Sequence, residues 1–256
     1  MSAPILALRR VTVQFGGLKA VSELDLVLER GALAGLIGPN GAGKTTVFNL
    51  ITGVYAPTSG EILLEGKAVH GRATSWIARE GIARTFQNPR IFAALSCLDN
   101  VRIACHAHAG ATLLDSVLST PRSAAEEEDI LRRSESLLES FGLARYRDTP
   151  ARNLPYGEQR RLEIARALAS EPKLLLLDEP AAGLNPQETE ALMHLIRDVR
   201  VGYHLTVLLI EHDMKVVMGI CERITVLDHG IRIAEGDPER IRSDPKVIEA
   251  YLGEGP

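Results

Sequence analysis

The sequence predicts an α/β fold: a core with a mainly parallel sheet, an antiparallel β subdomain and an inserted helical subdomain. Three observations carry that expectation. Short apolar runs closed by Gly or Asp alternate with longer stretches of helical period, the pattern of strands joined by crossover helices. The first 30 residues and Glu61 to Val69 alternate apolar and polar positions instead, as antiparallel strands with one wetted face do. Between about Pro89 and Leu168 the strand signals stop.

In chain order, Leu33 to Ile37 is the first buried strand, and a helix follows from Lys44 to Leu50. Within the helical stretch, the amphipathic run Glu126 to Phe141 ends at Gly142, and Glu158 to Ala169 ends before Pro172. The acidic residues Glu126 to Asp129 are expected at the opening turn of their helix, where the helix dipole favours them. Leu174 to Leu177, Thr206 to Ile210 and Ile224 to Leu227 are three further buried strands. Asn185, Pro186 and Glu188 supply an N-cap, a first-turn proline and a capping-box acid for a helix between two of them. Asp228-His229-Gly230 predicts a hairpin turn into Ile231 to Ala234. The whole is expected to be one domain, with residues 1–88 and 166–256 as the core with its β subdomain and 89–165 as the helical insertion. Chemistry in such sheets gathers at the carboxyl ends of the strands.

The 256 residues are 45% hydrophobic and 24% charged, ordinary for a globular chain that buries a substantial core. With 29 basic against 33 acidic residues the net charge is −4. That balance supplies no broad positive field for a nucleic-acid backbone, so no nucleic-acid partner is expected. Cys97, Cys105 and Cys221 form no CxxC and leave one thiol unpaired under any disulfide scheme, which fits a reducing cytosol. Met1 to Leu8 carries no basic leader ahead of its short apolar stretch, so no signal peptide is expected. No apolar run approaches the ~18 residues of a spanning helix, so any membrane role is expected to be peripheral or borrowed from another subunit.

The sharpest motif is Gly38, Pro39, Asn40, Gly41, Ala42, Gly43, Lys44, Thr45 and Thr46, which satisfies GxxxxGK[ST] between the strand ending at Ile37 and the helix from Lys44. Glycines let backbone N–H groups turn inward around phosphate oxygens, the helix presents its N-terminus to the anion, Lys44 adds a point charge, and Thr45 can ligate Mg²⁺. The core is therefore expected to be that of a P-loop NTPase. Asp178 and Glu179, two carboxylates closing the strand from Leu174, fit the same site. Asp178 can hold Mg²⁺ through its water shell, while Glu179 orients or deprotonates the attacking water. A third element, Leu154-Pro155-Tyr156-Gly157-Glu158-Gln159-Arg160-Arg161, opens a helix with Leu162, Ile164, Ala165 and Leu168 at its apolar positions, a second helix N-terminus able to receive phosphate.

Together these motifs resemble the ABC-transporter ATPase subunits and, over nearly the whole chain, most closely the ATPases of bacterial branched-chain amino acid importers. The subgroup is marked by Asn153 to Glu163, by Ala181-Ala182-Gly183-Leu184-Asn185, and by the ending Val247 to Gly253. The resemblance implies that Phe15 stacks on adenine, that Gln87 in Thr85-Phe86-Gln87-Asn88-Pro89 reaches Mg²⁺ and the attacking water, that Leu154, Pro155, Tyr156, Gly157 and Glu158 are the family signature, and that His212 contacts the γ-phosphate. It implies ATP and Mg²⁺ as cofactors. Two ATP molecules are then sandwiched between two ATPase subunits, each signature closing the other subunit's site. The implied partners are transmembrane permease subunits docking near Asn88, Pro89, Arg90, Ile91 and Phe92, a second ATPase, and indirectly a periplasmic solute-binding protein. The implied location is the cytoplasmic face of the inner membrane.

The chain departs from the family's usual Leu-Ser-Gly-Gly-Gln signature: Pro155 and Tyr156 stand at the serine and the first glycine, and Pro155 offers neither hydroxyl nor backbone donor. Losing one donor to a charged phosphate costs roughly 1.5–3 kcal/mol, so a heterodimer with a paralogue carrying the usual signature is expected, with a homodimer as the alternative. Asn185 likewise stands where the family commonly has Asp. Competing readings are a soluble ABC-type ATPase acting on nucleic acid or ribosomes, a non-hydrolytic nucleotide switch, and a metal site from Cys97, Cys105, His106 and His108, whose spacing matches no standard zinc pattern.

Overall fold

Leu33–Ile37 (β3), Leu174–Asp178 (β7) and Thr206–Ile210 (β8) are buried at every position, as expected of strands covered on both faces of a parallel sheet. The computed structural model describes residues 3–106 and 121–252. It divides into two units, one built from the residues up to Arg84 and from Lys173 onward, the other from Thr85–Pro172. Met1, His108 and Gly253, each touched by the sequence reading, lie outside the described residues.

In the first unit, Ile82–Arg84 (β6), Arg223–Asp228 (β9) and Ile231–Gly236 (β10) complete a six-stranded sheet of order β10-β9-β3-β8-β7-β6. Every pairing is parallel except β9 with β10. His229 (φ 44) and Gly230 (φ 78) form the turn between these two strands, the paired left-handed conformation of a tight hairpin. Asp228 itself still belongs to β9, so the turn is one residue shorter than the sequence indicates. Chain crossings run β7 to β8 through the helix Pro186–Gly202 and β8 to β9 through the helix Met214–Ile220, the second passing across β3. The longer helix opens as read: the Asn185 side chain accepts from Gln187 and Glu188, and Glu188 accepts the Asn185 amide.

Leu6–Phe15 (β1), Leu18–Leu28 (β2), Ser59–Leu64 (β4) and Lys67–Ala68 (β5) form a separate antiparallel sheet of order β2-β1-β4-β5. Its inner residues, such as Leu6, Val13 and Leu26, share one apolar core with Leu36, Phe48 and Ile210. That shared core fixes the antiparallel sheet against the parallel one.

The second unit is helical: Cys97–Cys105 (α3), Pro121–Ser140 (α4) and Tyr156–Ala169 (α5), with α1 (Lys44–Ile51) and α2 (Thr74–Arg79) belonging to the first unit. Its core includes Val101, Ile130, Leu138, Phe141, Leu162 and Ala165. One expectation is corrected: α4 is already helical at Pro121, so Glu126 to Asp129 sit beyond its first turn. The acids lie on a wetted flank, where Glu127 pairs with Arg102 at 3.0 Å and Asp129 with Arg132 at 3.3 Å.

Candidate functional site

Leu36 of β3, Ile210 of β8 and Asp178 of β7 stand in one row across the sheet. The segments leaving these three strands therefore emerge side by side at its carboxyl edge, the place where open α/β sheets bind ligands. From β3 comes the loop of residues 38–43. Gly38 (φ 150), Gly41 (φ 80) and Gly43 (φ 99) take conformations that residues with a Cβ rarely adopt. At Gly38 a Cβ would fall on the Leu227 carbonyl oxygen, and at Gly43 it would stand 2.6 Å from the Ala20 carbonyl oxygen. The loop is further held by the Gly230 amide, which donates to the Ala42 carbonyl at 3.0 Å. The Lys44 ammonium donates to the carbonyls of Gly38 and Pro39 at 2.6 and 2.8 Å. Thr45 and Thr46 lie in the first turn of α1, whose N-terminus carries no side-chain cap; the first N–H groups of a helix have no partners within it.

From β7 comes Asp178, 5% exposed. Its carboxylate accepts from the Arg84 guanidinium at 2.7 Å, and the same guanidinium donates to the Asn49 side chain at 2.7 Å. Glu179 follows in a left-handed conformation (φ 48), its amide donating to the Ile210 carbonyl at 2.9 Å. From β8 come Glu211 and His212. The exposed His212 imidazole lies 3.8 Å from the Glu179 carboxylate. Glu211 is buried, accepts the amides of Ala181 at 2.9 Å and His212 at 3.2 Å, and has its carboxyl pushed upward by burial. Phe15, at the end of β1, is 45% exposed and meets the Tyr55 ring edge-on at 5.0 Å.

The oxygen donors Thr45 and Asp178 suit Mg²⁺. Among the described residues no group of three or more His, Cys, Asp or Glu gathers that could hold a metal ion; a metal here would take its remaining ligands from water and phosphate, as magnesium commonly does. The suggested cluster of Cys97, Cys105 and His106 does not form among the described residues. Cys97 donates to the Thr149 carbonyl, and Cys105 Sγ sits 3.6 Å from Ser134 Oγ.

In the second unit, Gln87 and the segment Leu154 to Glu158 are tied together through α5. Buried Arg160, one turn into that helix, donates to the Phe86 carbonyl at 2.8 Å and to the Gln87 carbonyl. Glu163, one turn further on, accepts the amides of Phe86 at 3.2 Å and Arg90 at 3.1 Å. Tyr156 begins α5 with Pro155 as its N-cap residue; the Tyr156 ring is 41% exposed, with the Arg160 guanidinium 5.3 Å from its centre. Arg84, Glu211 and Tyr55 were not singled out by sequence reading, and Arg160 and Glu163 entered it only as letters of a motif, without these roles. For the four charged ones the available signal was a charge directly before Thr85-Phe86-Gln87, directly after the strand ending at Ile210, or inside the helix from Tyr156; for Tyr55 the sequence offered none.

A family profile described as ABC transporter matches residues 21–182, and one described as branched-chain amino acid ATP-binding cassette transporter matches residues 232–256. The chain is 48% identical over 254 residues, 99% of its length and 100% of the relative's, to the high-affinity branched-chain amino acid transport ATP-binding protein LivG of Escherichia coli (strain K12). Among solved structures it resembles an ATP-binding cassette of an ABC transporter in its ADP conformation, with a TM-score of 0.85 and 31% identity over 98% of this chain and 99% of that one. It also resembles a dimeric post-hydrolysis cassette bound to ADP and Pi, with a TM-score of 0.75 and 26% identity over 91% of this chain and 98% of the other.

Proposed function

Because the chain belongs to the ABC transporter family of nucleotide-binding ATPases, we propose that it is the subunit powering import of branched-chain or other hydrophobic amino acids through partner membrane subunits. The observation that carries this reading is the convergence at one sheet edge of the 38–46 loop, the Asp178–Glu179 pair and His212, with Glu179 and His212 3.8 Å apart. The C-terminal profile match and the name of the E. coli relative support the solute class.

In this reading the loop of residues 38–43, Lys44 and the first amides of α1 cradle the triphosphate, and the ring pair Phe15–Tyr55 offers a face to adenine. Thr45, Asp178 and Gln87 would hold magnesium, which supplies charge neutralisation at the β- and γ-phosphates when bound. Glu179 accepts a proton from the in-line water, and His212 donates to the γ-phosphate. Leu154 to Glu158 close the nucleotide of the second ATPase, so binding favours the closed pair and hydrolysis releases it. Since Pro155 brings no donor, that second ATPase is a paralogue with the usual signature. The pair works at the cytoplasmic face of the inner membrane, bound to permease subunits served by a periplasmic solute-binding protein. Among the described residues no helix is long and apolar enough to cross a membrane.

The test is ATPase assay and mass measurement of the chain alone, with its paralogue, and with the permease subunits. Turnover should require the paralogue and disappear in Glu179→Gln while nucleotide stays bound. Full activity as a homodimer overturns the pairing, and undiminished phosphate release by Glu179→Gln overturns the assignment of the base.

A further inference from the structure

The side chain of Arg84 is 7% exposed, and its guanidinium spans two different elements. One terminal nitrogen donates to Asp178 at the end of β7, the other to Asn49 on α1, each at 2.7 Å, while the central carbon lies 5.4 Å from the centre of the Phe48 ring. Asn49 is four residues after Thr45 on α1, and residues four apart share one face of a helix, one turn along its axis. The planar guanidinium is a rigid fork with fixed angles between its donors. It therefore sets the span between the strand end bearing Asp178 and the helix face bearing Thr45.

We propose that Arg84 is the positioning residue of the magnesium–phosphate site: it fixes the distance between the two oxygen donors Thr45 and Asp178 and holds the Asp178 carboxylate in one orientation through its hydrogen bond to one of the two carboxylate oxygens. The inference rests on the nucleotide-site reading above and adds a residue to it. A group that orients a ligand to a metal governs metal affinity without touching the metal, and removing one typically costs ~10–100-fold in that affinity. Lysine cannot replace arginine here, because a single ammonium is a point charge without the fork.

The experiment measures binding of a fluorescent ATP analogue to the full-length protein with Mg²⁺ and with EDTA, in wild type, Arg84→Lys, Arg84→Gln and Asn49→Ala. Wild type should bind more tightly with Mg²⁺. Arg84→Lys and Arg84→Gln should lose ~10–100-fold of that gain while metal-free binding stays within a few-fold, and Asn49→Ala should lose a smaller part in the same direction. Variants that keep the full Mg²⁺ gain overturn the proposal, as do variants that weaken metal-free and Mg²⁺ binding equally, which is what loss of packing alone would do. If Arg84→Gln does not fold, Arg84→Lys and Asn49→Ala decide on the same criteria. Failure of wild type to bind the analogue, or to respond to Mg²⁺, instead overturns the nucleotide-site reading.

Discussion

The carboxylate of Glu211 accepts the amide of Ala181 at 2.9 Å and also that of His212 at 3.2 Å, so one buried side chain ties the loop after Glu179 to the residue facing Glu179. Glu211→Ala leaves two amides without their acceptor, a loss of about 1–3 kcal/mol for each buried group stranded. It also frees the Glu179–His212 pair to drift. We expect kcat of the assembled ATPase to fall by at least ~10-fold with little change in KM, whereas Glu211→Gln, which keeps an acceptor for only one of the two amides and turns a donor toward the other, loses rate as well, though less than Glu211→Ala. Steady-state kinetics of the two variants side by side check this.

The Arg160–Glu163 pair, side chains 2% and 3% exposed, holds Phe86, Gln87 and Arg90 onto α5. Arg160→Met strands a buried carboxylate and should cost about 3–5 kcal/mol; adding Glu163→Gln should restore part of that loss, a non-additivity that denaturant titration detects. Burial raises the Glu163 carboxyl above its ordinary value. Between the unfolded and folded values the native state carries the extra proton, so this contribution to stability is present at lower pH and is lost as pH rises through that window. Relative to Glu163→Gln, wild type should lose stability as pH rises above the ordinary carboxylate range, as urea titrations at a series of pH values would show.

Gly38→Ala and Gly41→Ala separate two reasons for glycine in one loop. At Gly41 a Cβ meets nothing within 4 Å, leaving only the cost of its φ of 80, about 1–2 kcal/mol. At Gly38 the Cβ collides with the backbone oxygen of Leu227, which cannot swing away as a side chain would. Gly38→Ala should abolish nucleotide binding or folding, and Gly41→Ala should keep the fold; calorimetric melting and nucleotide titration distinguish the two.

Burial pushes the Cys97 thiol up to about 11 and the Cys221 thiol up to about 12, and Cys105 is buried as well. The thiolate is the reactive form. A chromogenic disulfide reagent at pH 8 should label none of the three in the native protein and all three in guanidinium.

The strands and their order of chemistry were readable because β3, β7 and β8 are apolar at nearly every position and end in polar residues with few alternative uses. The capping box at Asn185 was readable for the same local reason: its partners lie within three residues. What escaped reading depends on pairing across the chain. Arg84 meets Asp178 94 positions away, and Arg160 meets Phe86 74 positions away, so neither ion announces its burial locally. The start of α4 escaped for a different reason: the acids at 126–129 resemble a helix opening, yet the helix already runs from Pro121. Dipole preference is worth only about 0.3–1 kcal/mol at an exposed site, too little to decide where a 20-residue helix begins.

The hairpin at His229–Gly230 also imposes an order in time on the making of this protein. Residues 38–43 leave the ribosome early, but Leu227 and Gly230, which shape and hold that loop, are translated almost two hundred residues later. A nascent chain therefore has to carry an unfinished phosphate cradle until the β9–β10 hairpin has emerged, and a fragment truncated before that hairpin would contain every residue of the GxxxxGK[ST] motif without the scaffold that gives it its shape.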